Sequence, residues 1–189
     1  MANKVKFGLK NVHYSVITEN AGNITYATPV AINGAVSLSI DAQGEINKFY
    51  ADNIVYYQTS SNDGYSGDLE IANISDDFLK DVLGQQSDSN NVLFESTTDT
   101  PKQFALLFEV EGDEKATRHV FYNCVVTRPS TQASTIEDGK KQPQTDKLNL
   151  TVSPNVNGCI KAKTTSSTTP ADYDNWFSSV YVFSDDAII

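Results

Sequence analysis

Residues 64–84 read GYSGDLEIANISDDFLKDVLG, and the change of period inside this stretch decides the fold. Its first half alternates, with Leu69 and Ile71 on one face and Asp68 and Glu70 on the other, the two-residue period of a half-buried strand. The period then becomes helical. Ser75 is a good N-cap, Asp76 and Asp77 lie at the positive end of the helix dipole, and Ile74 with Leu79 fits a hydrophobic staple. Phe78, Leu79, Val82 and Leu83 form one apolar face, and Gly84 stands where a left-handed residue ends the helix. A helix of about two turns cannot hold itself together in water, so its apolar face is expected to dock on a sheet.

Outward from this point the chain reads as strands. VHYSVI, GAVSLSI, NIVYYQT, YSGDLEIA, QFALLFEVE, TRHVFYNCVVT, KLNLTVS and CIKAKT are separated by turn signals at Asn33-Gly34, Asp63-Gly64, Gly112 and Asn157-Gly158. The sequence therefore predicts a mainly antiparallel β domain. Its clearest hairpin joins Gln103–Val110 to Thr117–Val126 through the polar tip EGDEKA. Strict alternation places Phe104, Leu106, Phe108 and Val110 on one face, and Val120, Tyr122, Cys124 and Val126 on one face of the partner. A second helix is expected near the end, where Thr169, Pro170 and Asp172 resemble an N-cap, an N1 proline and an acidic N3, and Tyr173, Trp176, Phe177 and Val180 keep helical spacing. Two segments lack a period: DAQGEINKFYAD at 41–52, in which Ile46, Phe49 and Tyr50 fit either a core or a contact surface, and the polar loop at 128–147.

The chain has 189 residues, 39% of them hydrophobic, which fits a single domain over 1–189. It contains no run of about 18 apolar residues for a membrane span, and MANKVKFGLKN has no apolar signal core, so a cytosolic origin without membrane contact is expected. Cys124 and Cys159 make no disulfide framework and read as free thiols. The formal net charge of −10 argues against a protein that grips nucleic acid, which needs clustered Lys and Arg.

No motif carries catalytic chemistry. The two histidines, His13 and His119, have no nucleophile signature around them, and His119 lies inside a strand pattern. Phosphate-binding and dinucleotide-binding glycine patterns and zinc-type cysteine pairs are missing, so no cofactor or metal is expected. Asp63, Asp68, Asp76 and Asp77 crowd one region, but their spacing differs from a calcium loop.

Several runs in order, KNVHYSVIT, FYADN, GYSGDLEIA followed by DDFLKDVLG, TRPS leading to PQTDKLNLTVSP, then KAKT and DNWFSSVY, resemble the major tail protein of long-tailed bacteriophages of Gram-positive hosts. The likeness runs from about Lys10 to about Tyr181 and finds no counterpart for the terminal VFSDDAII. It implies a tail tube protein: an antiparallel β-sandwich or barrel with a short flanking α-helix, assembled as homo-hexameric rings that stack into a tube, joined to other tail proteins. Phage DNA would pass through without specific binding, and assembly would occur in the host cytoplasm. In such a tube one face of a strand meets the subunit core and the other can meet the channel. Alternation then offers Asp68 and Glu70 as lumen-facing candidates, together with Ser37, Ser39 and Asp41 opposite inward Val36, Leu38 and Ile40. The loop at 128–147 becomes a candidate assembly arm, and 41–52 a candidate contact between rings. A carbohydrate-binding β-sandwich, or a related secretion-tube or connector ring protein, fits the same residues as an alternative.

Overall fold

The computed structural model of the chain describes residues 3–20, 23–135 and 143–183. In chain order the elements are β1 (Lys6–Asn20), β2 (Asn23–Tyr26), β3 (Val30–Ala31), β4 (Ala35–Gln43), β5 (Ile46–Ala51), β6 (Ile54–Ser60), β7 (Gly64–Ile71), α1 (Asp76–Asp81), β8 (Gln86–Ser87), β9 (Leu93–Phe94), β10 (Phe104–Gly112), β11 (Thr117–Val126), β12 (Asp146–Val152), β13 (Lys161–Lys163) and α2 (Pro170–Asp174), which runs into a 3-10 turn at Asn175–Phe177. Strands make up 49% and helices 8%, so the protein is mainly antiparallel β. One large sheet has the strand order β2-β1-β10-β11-β12-β7-β4, with β3 added to β1 and β13 to β11. Its edge strand β4 comes back close to β1, so the sheet curls around one side.

That inner side holds the main core, where Val12, Tyr14, Leu69, Ile71, Phe104, Leu106, Cys124, Leu148 and Leu150 are buried together. The central strand β10 is buried on both faces, because Ala105 and Leu107 point outward into a second cluster with Val120, Tyr122, Trp176 and Val180. α1 closes the inner side. Ser75 caps it by accepting a hydrogen bond from the Phe78 amide at 3.3 Å, and the Phe78 ring meets Tyr14 and Phe104 edge-on at 5.1 and 5.7 Å. Phe78, Val82 and Leu83 are buried and Leu79 is half-buried. Asp81 accepts from the Tyr14 hydroxyl at 2.9 Å, fastening the helix end to β1.

α2 closes the outer side. Thr169 accepts from the Asp172 amide as its N-cap, with Pro170 in the first turn. The helix holds through Arg118, whose guanidinium lies 3.9 Å from the Tyr173 ring centroid and 5.1 Å from that of Phe177 while Nε donates to Glu109 at 2.8 Å. Trp176 Nε1 donates to the His119 carbonyl at 3.2 Å. Helical spacing over Tyr173–Val180 is corrected here: the α-helix ends at Asp174 and the chain tightens to 3-10 before Val180 reaches the core.

Two strand faces also differ from strict alternation, each because of a β-bulge. In β11 the register slips between the pairs Phe104↔Cys124 and Leu106↔Phe121, so Phe121, Cys124 and Val126 face the main core while Val120 and Tyr122 face the second cluster. In β4 Ala35 opposes Ile71 and Ser37 opposes Glu70. Val36 is the extra residue and is 53% exposed rather than inward, and Ala35 takes its place against the core. The polar loop is shorter than 128–147, because Asp146 and Lys147 already belong to β12. Residues 136–142 of that loop and 184–189 of the terminal VFSDDAII lie outside the described residues.

Candidate functional site

The outer face of β4, β7 and β12 is a polar lattice fixed by register. Cross-strand pairing aligns Ser37, Glu70 and Lys147 in one row, Ser39, Asp68 and Asn149 in the next, and Asp41, Ser66 and Thr151 in the third. Because side chains alternate, this face follows from burying Leu69, Ile71, Leu148 and Leu150 on the other. Ser37, Ser39 and Asp41 are exposed, and Asp68 and Glu70 are half-exposed. Thr145 donates to Glu70 at 2.6 Å and Ser37 donates to its second oxygen at 3.0 Å. These two bonds, then the nearby Lys147 charge, hold the Glu70 carboxyl below its ordinary range. Ser37, Ser39, Asp41, Asp68 and Glu70 share the face opposite Leu69 and Ile71, and Lys147, which sequence reasoning did not include, interrupts the acidic lattice.

At one end of this face the β4–β7 pair continues into a protruding hairpin. Backbone bonds Asp63 N to Gln43 O at 3.0 Å and Ser61 N to Glu45 O at 2.9 Å carry the pairing across the junction into β5 and β6. Asp52 and Asn53 turn the tip with φ of 51° and 64°, the left-handed pair a two-residue hairpin turn requires. The hairpin exposes Ile46, Phe49, Tyr50, Ile54, Val55, Tyr56 and Tyr57, each more than 40%. Ile46, Phe49 and Tyr50 therefore do not belong to the core. The amphipathic signal is lost because apolar residues occupy both faces of the hairpin, which leaves no period-2 pattern to read. The turn dipeptide Asp52-Asn53 was the available signal.

Titratable groups elsewhere have structural surroundings. His13 Nδ1 lies 2.9 Å from the Asn11 carbonyl and its ring stacks on Phe177 at 4.8 Å. His119 stacks on Phe108 at 5.0 Å, and burial, then the charges of Lys163, Lys161 and Lys6, push its imidazole down to about 4. Both cysteines are free, and burial raises the Cys124 thiol to about 12. Among the described residues no three His, Cys, Asp or Glu side chains group closely enough to hold a metal ion, and no helix is long and apolar enough to cross a membrane.

A family model described as phage tail tube protein matches residues 2–172. The chain belongs to the phage tail tube protein family. A comparison with curated proteins finds no match. The family match covers the large sheet, the hairpin and α1, and stops inside α2. As a tail tube protein the chain is a structural component of the virion tail, one that self-assembles and joins other tail proteins. Membership in a structural family implies a non-enzymatic role.

Proposed function

We propose that this tail tube protein forms homo-hexameric rings that stack into a tube, assembled in the host cytoplasm, through which the phage genome is delivered. The observation that carries the reading is the β5–β6 hairpin. An isolated two-stranded hairpin is marginal in water, and this one presents large apolar side chains on both faces. Covering both faces takes neighbouring subunits. Among the described residues no strand pairs with the outer edge of β4, which adds a second joining surface, since a free strand edge pairs with another chain and a closed ring leaves none exposed.

In this arrangement Ser37, Ser39, Asp41, Asp68 and Glu70 line the channel. A wall with a negative balance repels phosphates and leaves DNA mobile, whereas a basic wall would hold it by counterion release. Negative-stain imaging of the purified protein over a range of concentration and salt tests the proposal. Six-fold rings or stacked tubes are the expected outcome, and a strictly monomeric species under every condition would refute it.

A further inference from the structure

On the inner side of the curled sheet, near the β10–β11 tip, is a cavity of about 690 Å³. Its floor is a run of rings: His119 stacks on Phe108 at 5.0 Å, Phe108 on Phe121 at 6.0 Å, and Tyr65 meets Phe121 edge-on at 5.5 Å. Leu38, Ile40 and Val110 add aliphatic wall. The rest of the lining is polar and basic. Lys6 enters from β1 and Lys4 from the segment before it, while Lys161 and Lys163 enter from one face of β13, opposite Phe121 and His119. Among the described residues none of these four lysines forms an ion pair and no carboxylate lines the cavity. Asp113, close by, accepts from the Lys4 amide at 2.9 Å rather than from an ammonium group. Like charges gathered on one rim repel one another. Their field reaches the floor, where burial, then Lys163, Lys161 and Lys6, push the His119 imidazole down to about 4.

We propose that this cavity binds a small anionic amphiphile, of the class of a medium-chain fatty acid, with its chain along Leu38, Ile40 and the rings and its carboxylate among Lys6, Lys161 and Lys163. The mixed lining selects that class. An inorganic anion would leave the rings in water, and an uncharged oil would gain nothing from the lysines, whereas a ligand with both parts uses both. The cavity is of the size that encloses such molecules. A single carboxylate also relieves the repulsion among the ammonium groups, which in a chain of net charge −10 have no described acidic partner. The site belongs to one subunit, so the inference does not rest on the tube reading.

Dodecanoate, kept below its micelle-forming concentration and titrated into the purified protein at neutral pH, tests the site. The chain's two histidines report the location, because His119 is on the cavity floor while His13 stacks on Phe177 beside α2. Calorimetry is expected to saturate at one dodecanoate per chain, with the ring-proton NMR signals of His119 shifting in step and those of His13 unmoved. Dodecyltrimethylammonium carries the same chain with the opposite charge, and acetate carries the head without the chain. Each is expected to bind at least about tenfold more weakly. Lys161→Gln with Lys163→Gln is expected to weaken dodecanoate binding by a similar factor at an unchanged melting temperature. Equal affinity for the two twelve-carbon ligands, saturation that leaves the His119 signals in place, or the absence of saturable binding would each overturn the inference.

Discussion

At the level of single residues, the docking of α1 rests on graded burial. Phe78, Val82 and Leu83 are buried, Leu79 is half-buried, and Lys80 is on the helix rim. Leu83→Ala is therefore expected to cost about 2–5 kcal/mol, Leu79→Ala less, Lys80→Ala close to nothing, and Ser75→Ala about 1 kcal/mol through the lost cap. Urea unfolding midpoints check the order, and equal midpoints for Leu83→Ala and Lys80→Ala would show that this face is not docked. His119 offers a pH test. Its folded value is lowered to about 4 by burial and by Lys163, Lys161 and Lys6, while an unfolded histidine titrates near ~6.5. Between those values the unfolded chain binds more protons, so this contribution is fully present above about pH 6.5 and is lost as the pH falls toward 4. Melting temperatures recorded over that window should fall less steeply with acidification in His119→Gln than in the unmodified protein. Parallel curves would mean that His119 carries no such linkage.

Among the elements, the long β4–β7 hairpin depends on a close approach at its junction. A Cβ added at Gly44 would lie 2.3 Å from the Ser61 carbonyl oxygen, so Gly44→Ala forces the backbone apart where the pairing passes into β5 and β6. Amide exchange over Glu45–Ser60 should accelerate and tube yield should drop, with β10 amides unchanged; unaltered exchange in the hairpin would show that the junction tolerates the methyl group. The same elements show what sequence can and cannot reveal. α1 was legible because cap, apolar face and terminating Gly84, with φ of 79°, agree within ten residues. The faces of β7 and β12 were legible because one side is buried and the other wet. Bulges at Val36 and near Tyr122 were not, since an extra residue leaves composition unchanged while inverting every face beyond it. The hairpin was illegible for a different reason: its apolar residues are exposed on both faces, so no intramolecular burial imprints a period on it. Arg118 between Tyr173 and Phe177 joins segments 55 or more positions apart, a pairing no local pattern encodes.

For the whole molecule the decisive property is where the acidic excess lies. Inward burial of Leu69, Ile71, Leu148 and Leu150 forces Asp68, Glu70 and Asn149 to the opposite face, and Ser37, Ser39 and Asp41 extend that face to the β4 edge. If this face lines the channel, each ring repeats these carboxylates around the passing genome. Lys147 tempers the row beside Glu70, so the wall is weakly rather than densely acidic. Asp68→Lys with Glu70→Lys reverses this balance without touching the core. Tubes should still assemble, while genome ejection slows and regains speed as salt is raised, because added cations replace the lysines as phosphate counterions. Glu19→Lys with Glu114→Lys changes net charge equally at exposed positions off this face and serves as the comparison. Slow, salt-sensitive ejection in the first protein alone places Asp68 and Glu70 on the channel wall. Normal ejection from virions carrying the Asp68 and Glu70 replacements, with tails intact, would put this face on the outside of the tube and make its carboxylates ordinary solvated groups.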